Sequence, residues 1–322
     1  MRVAIVGAGV AGLSCATALA AGGATVTVFD KGRGAAGRTS TRREVVPFDH
    51  GAQYFTARHP AFQAEVMRLV DEGVVAEWTP RIVAVEQVGG TPRVVTEVVR
   101  WVGTPGMNAV ARALAAPLDL RVGVTVVAIE RHQHGWQLAT TGHDQPGHFE
   151  AVVLTAPPVQ TAALLGTHHL AATVENAKMA PCWAVMTAWA DALPVPFDAA
   201  FVNDGPLSWI ARDGSKPGRP HPHSWVLHAS PAWSTAHLED PAEVVLAAML
   251  EALAAVVGSP LPALEFSAAH RWRYASVLQG LNRSHLWDDE HGVGVAGDWC
   301  DGPRVEGAWL SGQALAQAIL GS

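Results

Sequence analysis

The sequence predicts an α/β protein, a Rossmann-type domain for a nucleotide cofactor joined to a second, mixed α+β domain. Three observations carry this. The first thirty residues run strand, glycine-patterned turn, helix and second strand ending in an acid. A second glycine-flanked strand-to-helix turn stands at 291–320. Between the two, residues 166–287 change texture, with frequent Trp, His and Pro.

Taken in order, residues 2–6 form a short apolar run with β-branched Val3, Ile5 and Val6, the pattern of a buried strand. Gly7, Gly9 and Gly12 follow at dinucleotide-binding spacing, with Ala11 between the last two. Gly7 permits the tight turn, Gly9 admits a pyrophosphate to the backbone, and Gly12 lets helix and strand pack closely. The pyrophosphate would rest on the N-terminus of a helix reaching about Ala21, where free N–H groups and the helix dipole favour an anion. The strand at 25–29 ends in Asp30, placed for ribose hydroxyls. Three patterned glycines and a lone Arg2 exclude a signal peptide.

Residues 31–43, KGRGAAGRTSTRR, make a basic glycine-rich loop in which Lys31, Gly37 and Arg38 reach the same cofactor. In FDHGAQYFTAR, Gly51 sits where backbone passes close to a flat ligand, flanked by His50, Ala52, Gln53 and Tyr54. Residues 60–72 are an amphipathic helix with Pro60 in its first turn and Gly73 at its end. Residues 81–88 and 93–99 read as a hairpin, and Thr104–Pro105 opens a helix to about Ala116. Strands follow near 122–130, where Val126 is taken as a cofactor contact, and near 135–140 and 149–155. The 212–223 stretch reads as a basic surface loop that includes Lys216. The helix at 241–257 has Asp240 as N-cap and is apolar almost all round, so burial on all sides is expected.

The return at the far end decides between a nicotinamide and a flavin cofactor. Gly297 and Asp298 end a short strand, and Val305, Glu306, Gly307 and Ala308 open the last helix. A plain nicotinamide domain does not need this second turn, whereas a flavin needs an acid at its ribityl chain and a helix end at its ring.

Net charge is −7, which excludes a general nucleic-acid footprint. No apolar stretch is long enough to span a membrane, and three scattered cysteines suggest a reducing, cytoplasmic setting without disulfides. Histidine pairs at 168–169 and 221/223 lack a Cys or acid at ligand spacing, so no metal is expected. Twelve tryptophans stand beside only three lysines and nineteen arginines.

These motifs together resemble the FAD-dependent flavin amine oxidase superfamily, and within it the bacterial renalase group. The likeness runs nearly end to end, through GAGVAGLS, FDKGRGAAGR, DHGAQYFTAR, EWTP, RWVGTPGMNAVARAL, HGWQL at 134–138 and SKPGR. It is most specific in WVLHASPAWS, HRWRYA and GDWCDGPRVEGAWLSGQ. The resemblance implies noncovalent FAD and a p-hydroxybenzoate hydroxylase-like architecture. The FAD-binding domain would comprise 1–55, 103–165 and 288–322, and the substrate domain 56–102 and 166–287. The implied reaction is oxidation of 1,2- or 1,6-dihydro isomers of NAD(P) to NAD(P)+, with O2 reduced to hydrogen peroxide. One departure is Ala35-Ala36-Gly37, where relatives carry two glycines before the arginine.

Hydride loss from a dihydropyridine is driven by aromatisation, so no general base is required and none is assigned. His50, Gln53 and Tyr54 are expected to position the rings. A dinucleotide needs phosphate and ring contacts, for which Trp209, Arg212, Trp225, Trp272 and Arg273 are the candidates, with Lys216, Arg219 and Arg271 nearby. Two alternatives stand beside this. One is an amine oxidase or desaturase, disfavoured by lysine scarcity; the other is a non-catalytic flavin-binding protein.

Overall fold

Two sheets define the architecture in a computed structural model that describes residues 1–95, 98–133, 135–141 and 147–321. Thr96 and Glu97 of the expected hairpin arm, and His134 of the 134–138 motif, lie outside the described residues. The first sheet has six strands, ordered Leu286–Asp288, Val293–Val295, Ala151–Leu154, Arg2–Val6, Thr25–Asp30 and Asp119–Val122. All pairs are parallel except the edge pair 286–288 with 293–295. Parallel strands buried on both faces read as unbroken apolar runs, which explains RVAIV and AVVL.

Alternation sends Val3, Ile5 and Val153 to one face and Ala4, Val6, Val152 and Leu154 to the other. On the first face the Val10–Ala21 helix packs against the last helix, Val305–Gly321. Ser14 Oγ donates to the Trp309 carbonyl at 2.7 Å, and a side chain at Gly312 would strike the Ala11 carbonyl oxygen. On the second face lies a three-stranded antiparallel sheet, Val126–His132, Gly135–Thr140 and His148–Phe149. The strand expected near 122–130 is therefore two: Asp119–Val122 joins the parallel sheet, and Val126–His132 pairs elsewhere.

The second sheet has seven strands, in the order Leu264–Gln279, Lys178–Trp189, Ser224–Ala229, Leu207–Arg212, Ala199–Val202, Ile82–Val85 and Arg93–Val94. Its outer face is covered by the Ala242–Val257 helix through Val245, Met249 and Leu253, spaced one turn apart. That helix is buried along this single stripe, not all round, and Val244 is half exposed. Its N-cap is Pro241, because the Asp240 carboxylate is committed to His237 Nδ1 at 2.7 Å. No helix among the described residues is long and apolar enough to cross a membrane.

The loop after Asp30 folds back over the first glycine turn, with the Ala36 N–H donating to the Ala8 carbonyl at 3.0 Å. Ala36 is buried and has φ of 142°, a backbone region essentially reserved for glycine. The departure from two glycines thus falls on the one loop position that is strained. Ala36→Gly should relieve ~1–3 kcal/mol of strain and lose ~0.5–1 kcal/mol to chain entropy. The net expectation is a gain of about 1 kcal/mol in unfolding free energy by urea titration. Unchanged or lower stability would contradict this backbone assignment.

Candidate functional site

The glycine turn, the basic loop and the far-end turn converge. Gly7 has φ of +112°, and a side chain there would strike Thr155, while one at Gly12 would strike the Gly7 carbonyl. At Gly9, by contrast, an added Cβ would meet nothing within 4 Å, which leaves the backbone open to a ligand. Asp30 receives the N–H groups of Ala8 at 2.7 Å and Gly32 at 2.6 Å. Arg38 makes a forked pair with Asp298, at 2.8 and 2.6 Å, and donates to the Ala275 carbonyl at 3.1 Å. Gly51 and Ala52 join this group, because the Ala52 N–H donates to the Arg38 carbonyl at 2.8 Å. The close approach expected at Gly51 is made to Arg38 and to the Trp272 ring, leaving no space for a Cβ.

Other expected cofactor contacts sit around this cradle. Gly297 donates to Ser311 Oγ at 3.0 Å, and Gly307 packs tightly on Gly302. Val305 and Ala308 are half-buried in the first turns of the last helix. Lys31 is exposed, and Val126 is packed in the same buried cluster as Phe29. Glu306 is buried at the start of the last helix. Its carboxylate accepts the N–H groups of Arg58 at 2.6 Å and His59 at 2.7 Å, tying the entry of the Pro60–Asp71 helix to the last helix.

A second group forms where the 49–54 segment meets the inner face of the seven-stranded sheet. The His50 carbonyl accepts Trp272 Nε1 at 3.0 Å and lies 3.2 Å from His228 Nε2. The His50 ring packs on His270 at 4.7 Å and on Trp272 at 4.9 Å between centroids. Tyr54 packs on Trp209 at 5.8 Å and on Trp78 at 6.1 Å. Because His228 and His270 both pair with Ala184 across the sheet, they share one face, and Trp209 joins as the partner of His228. Burial, helped by His270, Arg42 and His228, pushes the His50 imidazole down to about 3. Burial likewise pushes His228 down to about 4, and burial with the Arg42 charge takes His270 to about 4. All three rings are therefore neutral at ordinary pH. His50 Nδ1 and Trp209 Nε1 are buried without a hydrogen-bond partner, as suits a face that meets a polar flat ring.

The alternation that gathers Trp209 and Trp272 sends three other expected substrate contacts to the opposite face. Trp225 is fully buried against Phe197, beneath the outer helix. Arg212 pairs there with Asp198. Arg273, like Arg271, is drawn to Glu239, with Arg273 Nη1 at 2.6 Å. These residues are not part of the inner group.

Lys216 corrects the sequence expectation most sharply. It is buried, not on a surface loop, and with Arg219 it forms an ion cluster against Asp49 and Asp213. Lys216 Nζ lies 2.6 Å from Asp213 Oδ1 and 3.5 Å from Asp49 Oδ2, and donates to Gln53 Oε1 at 3.1 Å. Arg219 pairs with Asp49 and donates to the Gly103 carbonyl at 2.7 Å. Asp49 also accepts Thr41 Oγ1 at 2.7 Å and the Met107 N–H at 2.9 Å. Burial opposes the charge on Asp49, but Lys216, Arg219 and the Met107 N–H outweigh it and hold this carboxyl below its ordinary range. Two surface clefts, of about 460 and 290 Å³, open elsewhere, around Glu65–Arg68 and Pro105–Gly106.

Comparison with known proteins extends this picture. Residues 5–72 match the family described as an NAD(P)-binding Rossmann-like domain, and residues 78–320 match that described as flavin containing amine oxidoreductase. Among solved structures, the chain is similar to a protein from Exiguobacterium sp. 255-15 described as a protoporphyrinogen oxidase. The TM-score is 0.80 at 16% identity, over 99% of this chain and 98% of that one. It is also similar to putrescine oxidase bound to putrescine, with a TM-score of 0.76 at 15% identity over 100% of both chains. Cyclohexylamine oxidase from Brevibacterium oxydans IH-35A gives 0.75 at 14% identity, over 99% and 98%. At such identities the likeness is one of fold.

Removing one partner from a buried ion cluster leaves an uncompensated charge, which costs about 3–5 kcal/mol. Lys216→Met should lower unfolding free energy by roughly that amount in urea titrations, and adding Asp213→Asn should restore much of it. A Lys216→Met protein as stable as the parent would show that the cluster does not hold the fold.

Proposed function

We propose a substrate for this chain from one premise: it belongs to the flavin containing amine oxidoreductase family. It is a flavoprotein oxidoreductase, and its cofactor is FAD without a covalent link. The residues present fit that cofactor. Gly9 leaves room for a pyrophosphate, and Asp30, Arg38 and Asp298 stand around it. Burial pushes the Cys182 and Cys300 thiols up to about 12 and Cys15 well above its ordinary value, so none offers a thiolate for attachment. When bound, FAD supplies a hydride acceptor at N5 and passes two electrons on to O2.

The finer reading is a renalase-like oxidation of 1,2- or 1,6-dihydro isomers of NAD(P). The substrate gives up a hydride and leaves as NAD(P)+, while O2 takes up that hydride's electrons and proton, with one proton from solvent, to become hydrogen peroxide. The observation that carries this reading is the neutral aromatic patch of His50, Tyr54, Trp209, His228, His270 and Trp272. Flat faces of this kind hold a dihydropyridine by stacking and need to move no proton. As the ring loses hydride it becomes a cation, which aromatic faces attract and a protonated imidazole would repel. The histidines' low affinity for protons keeps that repulsion away. His228 and Trp272 hold the 50–54 segment in place, and Lys216 fixes the Gln53 amide.

An amine substrate is the second reading, favoured by the burial of Lys216 beside this segment. Its ammonium is already committed to Asp213, Asp49 and Gln53, however. Both acids of the cluster are matched to Lys216 and Arg219, so neither is free to receive an alkylammonium.

The test is anaerobic reduction of the oxidised flavoprotein by dihydro-NAD isomers, by ordinary NADH and by a panel of amines, followed as bleaching of the flavin's visible band. Fast bleaching by the isomers and little by NADH is expected. Since His50, His228 and His270 are pushed down to about 3 to 4, their protonation does not change from pH 6 to 9, and the bleaching rate should vary less than about threefold over that range. An amine reacting as its free base would instead gain about tenfold per pH unit below its own pKa. Bleaching by amines alone would overturn the proposal, and bleaching by no donor would leave a non-catalytic flavoprotein.

A further inference from the structure

Outside the flavin site, one buried carboxylate gathers three imidazoles. Asp288 ends the edge strand Leu286–Asp288 of the parallel sheet. His168 and His169 stand between the helices Pro158–Leu165 and Leu170–Val174, and His291 lies in the turn after Asp288. The Asp288 side chain is 6% exposed, and its Oδ2 lies 2.9 Å from His291 Nδ1, 3.2 Å from His168 Nε2 and 3.5 Å from His169 Nδ1. Ligand atoms of His168, Asp288 and His291 all lie within 4.8 Å of one another. From this geometry we propose that Asp288, His168 and His291, with His169 beside them, bind a divalent transition-metal ion of the zinc type.

Three features favour a cation over a plain hydrogen-bonded cluster. The nitrogens crowd one oxygen, which has only two lone pairs to offer. His168 Nε2 is buried and outside hydrogen-bonding geometry despite its nearness to the carboxylate. The other carboxylate oxygen, Oδ1, is fixed by the His291 N–H at 3.1 Å, so Oδ2 alone faces the three rings. The backbone behind the site is also held: the His291 carbonyl accepts Arg131 Nη1 at 2.6 Å and Trp136 Nε1 at 2.7 Å.

Two imidazole nitrogens and one carboxylate oxygen, with a position left open, suit zinc and its neighbours in the transition series, and do not suit magnesium or calcium, which prefer all-oxygen sets. The expectation of no metal rested on spacing in sequence. Asp288 lies far from His168 along the chain, so no ligand motif forms there, and only the fold brings them together. A bound ion would clamp the sheet edge at 286–291 to the turn at 168–169. The site shares no residue with the nucleotide cradle.

Isothermal titration of the EDTA-treated flavoprotein with zinc chloride tests this. One zinc per chain is expected at a Kd of about 1 μM or tighter, with no heat from magnesium. Asp288→Asn and His291→Ala should each weaken zinc binding by about tenfold or more, with unchanged far-UV circular dichroism and flavin content. His291 is half exposed, so that variant folds even if Asp288→Asn does not. His237→Ala, which breaks a separate His–Asp pair, should leave zinc affinity unchanged. Zinc should raise the thermal midpoint of the parent and not that of His291→Ala. Absence of zinc binding, equal affinity in His291→Ala, or loss of binding in His237→Ala would each overturn the proposal.

Discussion

Lys216 and Arg219 are buried against Asp49 and Asp213, and the position of the inner aromatic face follows from that contact. Each of these ions loses several kcal/mol of hydration on burial, so the arrangement is tolerable only because two acids meet two bases with their remaining donors satisfied. Arg219 reaches the Gly103 carbonyl, Lys216 reaches Gln53, and Asp49 takes Thr41 and the Met107 N–H. The cluster thus joins three stretches distant in sequence. Asp49 precedes His50, whose carbonyl is held by Trp272 and His228, and Gly51 then meets the Arg38 backbone. This ion cluster fixes where the nucleotide cradle stands relative to the sheet.

Strand alternation does the rest of the sorting. Along the seven-stranded sheet, Trp209, His228, His270 and Trp272 face the 50–54 segment, while Trp225, Arg212, Arg271 and Arg273 face the outer helix or solvent. A shift of one residue in register would exchange the two sets. The inner set is neutral and aromatic, and the outer cations are paired with Asp198 and Glu239.

The nucleotide cradle was legible in the sequence because its determinants are local. Gly7, Gly9, Gly12 and Asp30 lie within one strand–helix–strand unit, so their spacing predicts the tight turn at Gly7, the open backbone at Gly9 and the close packing at Gly12. The far-end turn at Gly297–Asp298 was legible for the same reason. Lys216 was not, because RDGSKPGRPHPH has the composition of a solvated loop, and its acidic partner Asp49 stands far away in the sequence, in the 49–58 motif. Glu306 carries a contact that its own neighbourhood in the sequence does not announce. A first-turn glutamate suits a ligand-facing helix end, but here it meets the backbone of Arg58 and His59. Trp225 and Arg212 were assigned by composition, which carries no information about which face a residue takes when both faces of a sheet are buried.

These facts bear jointly on the chemistry proposed. An enzyme that must take a proton from its substrate places a titratable group where its pKa falls near the working pH. The inner face does the opposite: burial moves His50, His228 and His270 far below neutrality, and every nearby acid is matched by Lys216 or Arg219. Such a surface is suited to a step whose only charge change is the one on the substrate ring. For a dihydropyridine losing hydride, that change is the appearance of a pyridinium between aromatic faces, an interaction stronger in the transition state than in the ground state. The buried ions, paired two acids to two bases, supply the rigidity that stacking needs.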